Sequence, residues 1–132
     1  MNNWTFPKSS RLLIGAQFQR IFQQADFKVS QRHFLILARA NDLQYPRLGL
    51  VVAKKNIRLA VQRNRIKRRI RETFRLQQAH IGSIDAIVLP RSGADQLSDQ
   101  ELNLQLAQLW QRLAKKCPGQ TPETIETEKE NS

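Results

Sequence analysis

Between Lys54 and Arg75 the chain carries ten Lys or Arg in 22 residues and a single acid, Glu72. Fixed positive charge at that density suits phosphate binding, because ammonium and guanidinium groups neutralise a polyanion and donate hydrogen bonds to its oxygens. Most charge runs are only solvated surface, so spacing decides. IRLAVQRNRIKRRIRETFR reads as an amphipathic helix whose apolar stripe, Leu59, Ile66, Ile70, Thr73 and Phe74, falls within about 100° on a 3.6-residue wheel. Arg63, Lys67, Arg71 and Arg75 follow at i, i+4 steps, Asn64 and Arg68 occupy the adjoining row, and Arg65 and Arg69 lie on the opposite flank. Like charges at this spacing oppose helix formation by roughly a few tenths of a kcal/mol per pair. A chain without an anionic partner gains nothing from that arrangement. Arginine dominates the ridge, and its planar fork can grip phosphate oxygens or base edges with two parallel hydrogen bonds.

Other chemistries find no support in the residues. His33 and His80 are far apart in the chain and read as surface or packing residues, and Cys117 is a lone cysteine without disulfide or zinc spacing. No cluster of acid, base and nucleophile emerges. Asp85, at the start of an apolar run, reads as a loop terminator or an arginine partner rather than a metal ligand.

The elements that must position the ridge follow from periodicity. IGAQFQRIFQQ spaces Ile14, Phe18, Ile21 and Phe22 as a short first helix. Three strands are predicted next, at Phe27–Val29, His33–Arg39 and Leu48–Ala53, joined through the turn residues Asn41, Asp42 and Pro46. Asp85–Pro90 is a fourth. Ser98 and Glu101 form a capping box that opens a last helix with Leu102, Leu106, Leu109 and Leu113 on one stripe, flanked by Trp110; Trp4 has no assignment. The order α-β-β-β-α-β-α predicts an α/β (α+β) fold, a two-layer sandwich with the later helices on one face of a four-stranded sheet.

The whole chain has 132 residues and a net charge of +11. Residues 118–132, with four Glu and one Lys, open with Pro-Gly and read as a disordered acidic tail, so truncation at Cys117 is expected to leave folding nearly unchanged. Residues 1–10 read as a flexible N-terminal segment, which leaves 11–117 as a single domain; positions 1–117 hold 21 basic and 7 acidic residues, which makes a polyanion the first partner to consider. No apolar run approaches the ~20 residues that span a bilayer and no secretory signal is visible, so the cytoplasm is the expected location and no membrane partner is expected.

AVQRNRIKRRIRETFR, preceded by LGLVVAKKN, resembles the signature of the bacterial ribonuclease P protein subunit family, an Arg-Asn-Arg helix following a Lys-Lys strand end. The resemblance runs from Arg11 and the Phe18-x-x-x-Phe22 pattern through Arg47-Leu48-Gly49, Lys54-Lys55 and Ala60 to Arg75, and on to Asp85-x-Ile-Val and Arg91, covering about residues 11–115. It implies an α/β sandwich with a left-handed βαβ crossover. It also implies one copy of the protein bound to a large catalytic RNA, together removing the 5′ leader of precursor tRNA to give the mature 5′ end. The RNA would carry the Mg2+ and the phosphodiester hydrolysis, so the protein alone would bind no cofactor and have no catalytic residue.

By position, the resemblance assigns RNA contact to Arg63, Asn64, Arg65, Lys67, Arg68 and Arg71, with Lys54 and Lys55 beside them, and Arg75, next on the same ridge, joins the RNA-binding set. It assigns the leader to Phe18, Phe22 and Leu37. Stacking of unpaired bases on aromatic faces supports the phenylalanines, although the same spacing also suits core packing. Some family members present a tyrosine where this chain has Leu37, so ring stacking is lost there. Two other functions fit the basic face: a ribosomal or RNA-chaperone protein without a substrate, and, less well, a DNA-binding helix, for which no helix-turn-helix spacing or heptad is present.

Overall fold

The computed structural model describes residues 15–116 apart from Asp42 and Gln44. The expected N-terminal segment and acidic tail, with Trp4 and Cys117, lie outside the described residues. Helix α1 (Gly15–Gln24) is followed by strands β1 (Phe27–Ser30), β2 (Phe34–Ala40) and β3 (Arg47–Leu50), the long helix α2 (Ala60–Ile81), strand β4 (Ile84–Pro90), a 3-10 turn at Ala94–Gln96 and helix α3 (Asp99–Lys116). The strands form one mixed sheet in the order β1-β2-β4-β3; β3 runs parallel to β4 and the other pairs are antiparallel. This is the mixed α and β architecture that the element order predicts.

β4 is central and covered on both faces, which is why DAIVLP is apolar almost throughout. Alternate residues then face opposite layers. Phe34, Ile36 and Ala38 of β2, Leu48 of β3, and Ala86 and Val88 of β4 join the main core with α2 and α3. On the other face Ile21 of α1 packs on Ile87, with Phe18, Leu37, Val51 and Leu89 partly exposed around them. Among the described residues one face is therefore layered by α2 and α3, while the other carries the short helix α1 and is partly open.

Several sequence expectations shift. Leu59 does not belong to the buried stripe: α2 begins one residue later, Leu59 is its N-cap, and it is 61% exposed. The helix also runs past Arg75 to Ile81, which places His80 in its last turn; Gly82, at φ 86, ends it. β3 stops at Leu50, short of Ala53, although the Val51 N–H still reaches Val88 O at 3.1 Å. β2 starts at Phe34, and His33 is a packing residue whose ring would lie 3.3 Å from a Cβ at Gly93. Trp110 does not flank the core but is wholly buried in it.

Candidate nucleic-acid interface

Ile66, Ile70, Thr73 and Phe74 are the buried residues of the central turns of α2, as their spacing requires. They meet α3, where the Trp110 Nε1–H donates to Thr73 Oγ1 at 3.0 Å and the Trp110 ring lies 5.2 Å from Phe74 at 60°. With that stripe facing inward, Asn64, Arg68 and Arg71 are exposed and Lys67 and Arg69 half-buried. Of the ten cations between Lys54 and Arg75, only Arg63, Arg65 and Arg75 have side chains that hydrogen-bond among the described residues. The other seven, Lys54, Lys55, Arg58, Lys67, Arg68, Arg69 and Arg71, make no hydrogen bond or ion pair among the described residues. An uncompensated cationic surface of this kind attracts a polyanion and releases counterions when one binds.

The three committed arginines differ. Arg75 pairs with Glu72 one turn back. Arg63 donates through Nη1 to the carbonyls of Ile57 at 3.0 Å and Arg58 at 2.9 Å, tying the incoming loop to the first turn of α2. Arg65 reaches the other way, to Asp99 at 2.6 Å and to the carbonyls of Asp95 and Leu97. Its position on the flank opposite Lys67 and Arg71 is the one its spacing predicts.

Lys54 and Lys55 are exposed on the turn that follows β3. Asn56 holds that turn against the end of β4 by donating to Pro90 O at 3.2 Å, and the buried Ile57 plugs into the core. Because β3 and β4 are parallel, their C-terminal ends and the N-terminus of α2 share one end of the sheet. There the basic turn and the first turns of the ridge adjoin the open face on which Val51 and Leu89 lie. Phe18 packs against this patch from α1, whereas Phe22 is 47% exposed and belongs to neither core cluster. Of the leader-assigned residues, Phe18 and Leu37 are thus drawn together and Phe22 projects from the same helix.

Sequence reasoning missed one cation and saw a second feature only in part. Arg58 is an exposed cation beside Lys54 and Lys55 whose side chain has no partner among the described residues, and its signal was membership of the charge run without a place in the helix register. The second is a strut at the opposite end of the sheet. Asp85 accepts from Arg47 Nε and Nη2, both at 2.8 Å, and from Asn41 Nδ2 at 2.8 Å. The hydrogen bond to Asp85 raises the Arg47 pKa above its ordinary value, with burial opposing, so the guanidinium stays charged. The reading of Asp85 as an arginine partner holds. With Arg20, Arg39 and Gln17 this strut lines a pocket of about 410 Å³ behind α1. Among the described residues no three His, Cys, Asp or Glu come together, and no helix is long and apolar enough to cross a membrane.

A family model described as Ribonuclease P matches residues 6–114. The chain is 50% identical over 123 residues to the ribonuclease P protein component of Marinobacter nauticus, covering 93% of this chain and 92% of that one. It is 47% identical over 113 residues to the corresponding protein of Pseudomonas aeruginosa, covering 86% and 84%. Among solved structures, the RNase P protein of Staphylococcus aureus is similar with a TM-score of 0.73 at 34% identity, over 80% of this chain and 95% of that one. The RNase P protein of Thermotoga maritima gives 0.69 at 31%, over 77% and 96%.

Proposed function

The chain belongs to the ribonuclease P protein family, the protein component of a tRNA-processing ribonucleoprotein nuclease, and on that premise we propose that it acts in the cytoplasm as one copy bound to a catalytic RNA. The observation that carries this reading is the row of cations on α2 with no partner among the described residues, beside a face bearing Phe18 and Leu37. Lys67, Arg68, Arg71 and Asn64 meet the folded RNA, with Lys54 and Lys55 extending the contact toward the substrate. The single-stranded 5′ leader of precursor tRNA lies along the open face, where Phe18 and the projecting Phe22 offer their rings to unstacked bases and Leu37 offers only apolar area.

Hydrolysis in this reading belongs to the RNA, which holds the Mg2+. The protein raises affinity for leader-bearing precursor and screens the charge that two RNAs bring together, so its benefit is largest when magnesium is scarce. The test compares cleavage of precursor tRNA by the cognate RNA alone and with protein added at low magnesium. The protein is expected to raise rate and substrate affinity, and to do so far less when the leader is cut to one nucleotide. No gain at low magnesium overturns the proposal; a gain indifferent to leader length leaves only RNA stabilisation.

A further inference from the structure

Arg65 lies in the middle of the basic run yet turns away from the open ridge. Its Nε–H donates to Gln62 Oε1 at 2.8 Å, Nη1 to Asp99 Oδ1 at 2.6 Å, and Nη2 to the carbonyls of Asp95 at 3.2 Å and Leu97 at 3.0 Å. A guanidinium has five N–H donors, so this set leaves one for any other acceptor. Three of the four acceptors belong to the segment that leads into α3, where Ser98 is the cap and Asp99 the first helical residue.

The two helices are joined again farther along, at Thr73, Phe74 and Trp110. Two attachments at separate heights fix the rotation of α2 about its own axis as well as its distance from α3. Without the upper one, the first two turns of α2 are held by Ile66 and by the bonds of Arg63 to the loop. Those turns carry Asn64 and Lys67, and Arg68 follows directly. A lysine cannot take over the clamp, because the four acceptors lie around a planar fork and an ammonium is a point charge with three donors.

We infer that Arg65 is a positioning residue for RNA binding: it spends its fork on the approach to α3 and so sets the angle at which Asn64, Lys67 and Arg68 meet the RNA, without itself touching phosphate. This rests on the proposed function and divides the Arg-Asn-Arg motif into a part that holds the protein and a part that holds RNA.

The test uses the full chain, the cognate catalytic RNA, and a temperature at which circular dichroism shows every variant folded. Arg65→Gln is expected to weaken RNA binding about fivefold and to leave the slope of log K against log salt unchanged. Arg68→Gln flattens that slope by up to about one unit. Asp99→Asn gives the opposite sign to naive electrostatics: it removes a negative charge, yet loosens the clamp and weakens binding about twofold. A direct phosphate contact by Arg65 would instead make Asp99→Asn bind more tightly and Arg65→Gln flatten the slope as Arg68→Gln does; either result overturns the inference. So does unchanged affinity in Arg65→Gln, which would leave it a purely structural residue. Should Arg65→Gln fail to fold, Asp99→Asn still decides by its sign, its side chain being 57% exposed. If the wild type shows no salt-dependent RNA affinity and Arg68→Gln changes nothing, the proposed function fails rather than the clamp.

Discussion

Helix α3 starts with Ser98, whose Oγ accepts from the Glu101 N–H at 3.1 Å while Glu101 Oε1 accepts from the Ser98 N–H at 3.0 Å. Asp99 and Glu101 occupy its first turn and Lys115 and Lys116 its last, each complementing the helix dipole. Its neighbour α2 starts with Leu59, makes no side-chain cap bond and has no acid in its first turn. Along its length, cations repeat at i, i+4. One helix of the layer thus follows the local rules of stability at both ends, and the other breaks them at its start and along its charged face, although both bury an apolar stripe. The difference teaches that α2 is kept helical by its seam with α3 and the sheet, and that its outer surface answers to a partner.

Cutting the seam should have the largest effect. Trp110→Ala is expected to cost about 3–5 kcal/mol in denaturant titrations, because it removes the ring against Phe74 and the indole donor to Thr73 Oγ1, whose own proton still goes to the Arg69 and Ile70 carbonyls. A loss under about 1 kcal/mol would mean that α2 stands without α3. Next in size, replacing Lys67, Arg68 and Arg71 together by Ala should lower RNA affinity about a hundredfold near 0.1 M salt. Its melting temperature should not fall, since no described side chain pairs with these groups. A melting temperature that drops with the affinity would put those side chains in the fold and erase the contrast between the helices.

The caps give smaller, opposite effects. Ser98→Ala should destabilise by about 1 kcal/mol through loss of the box, read by chemical unfolding, with RNA affinity disturbed only as far as Arg65 follows the shifted segment. Leu59→Ser should stabilise by about 0.5–1 kcal/mol, because Leu59 already has the extended backbone of a cap, φ −89 and ψ 132, and its side chain is mostly exposed. A loss of stability in Leu59→Ser would show that this leucine packs against something in the free protein.

Local pattern made much of the molecule legible. The capping box forms as spaced, the stripe of Ile66, Ile70, Thr73 and Phe74 is buried, and the four strands appear within a few residues of their apolar runs. Leu59 misled because its side chain continues the wheel pattern while its backbone lies outside the helix. Trp110 was read as flanking because a wheel gives direction but not depth: an indole reaches farther than leucine and finds Thr73 across the seam. In the site, the cationic ridge was legible, but the division of its arginines was not.

What the amino-acid order determined alone is whatever depends on neighbours a few residues apart: which segments coil or extend, which side of α2 is charged, and the excess of positive charge itself. Contacts across the chain decided the rest. Insertion of β4 between β2 and β3 sets Asp85 against Arg47, 38 residues away, and the seating of α3 on α2 delivers Asp99 to Arg65 across 34. A cation becomes a strut or stays open to a partner according to whether folding brings an acceptor within about 3 Å, and for Arg47 and the contact of Arg65 with Asp99 no spacing along the chain encodes that distance.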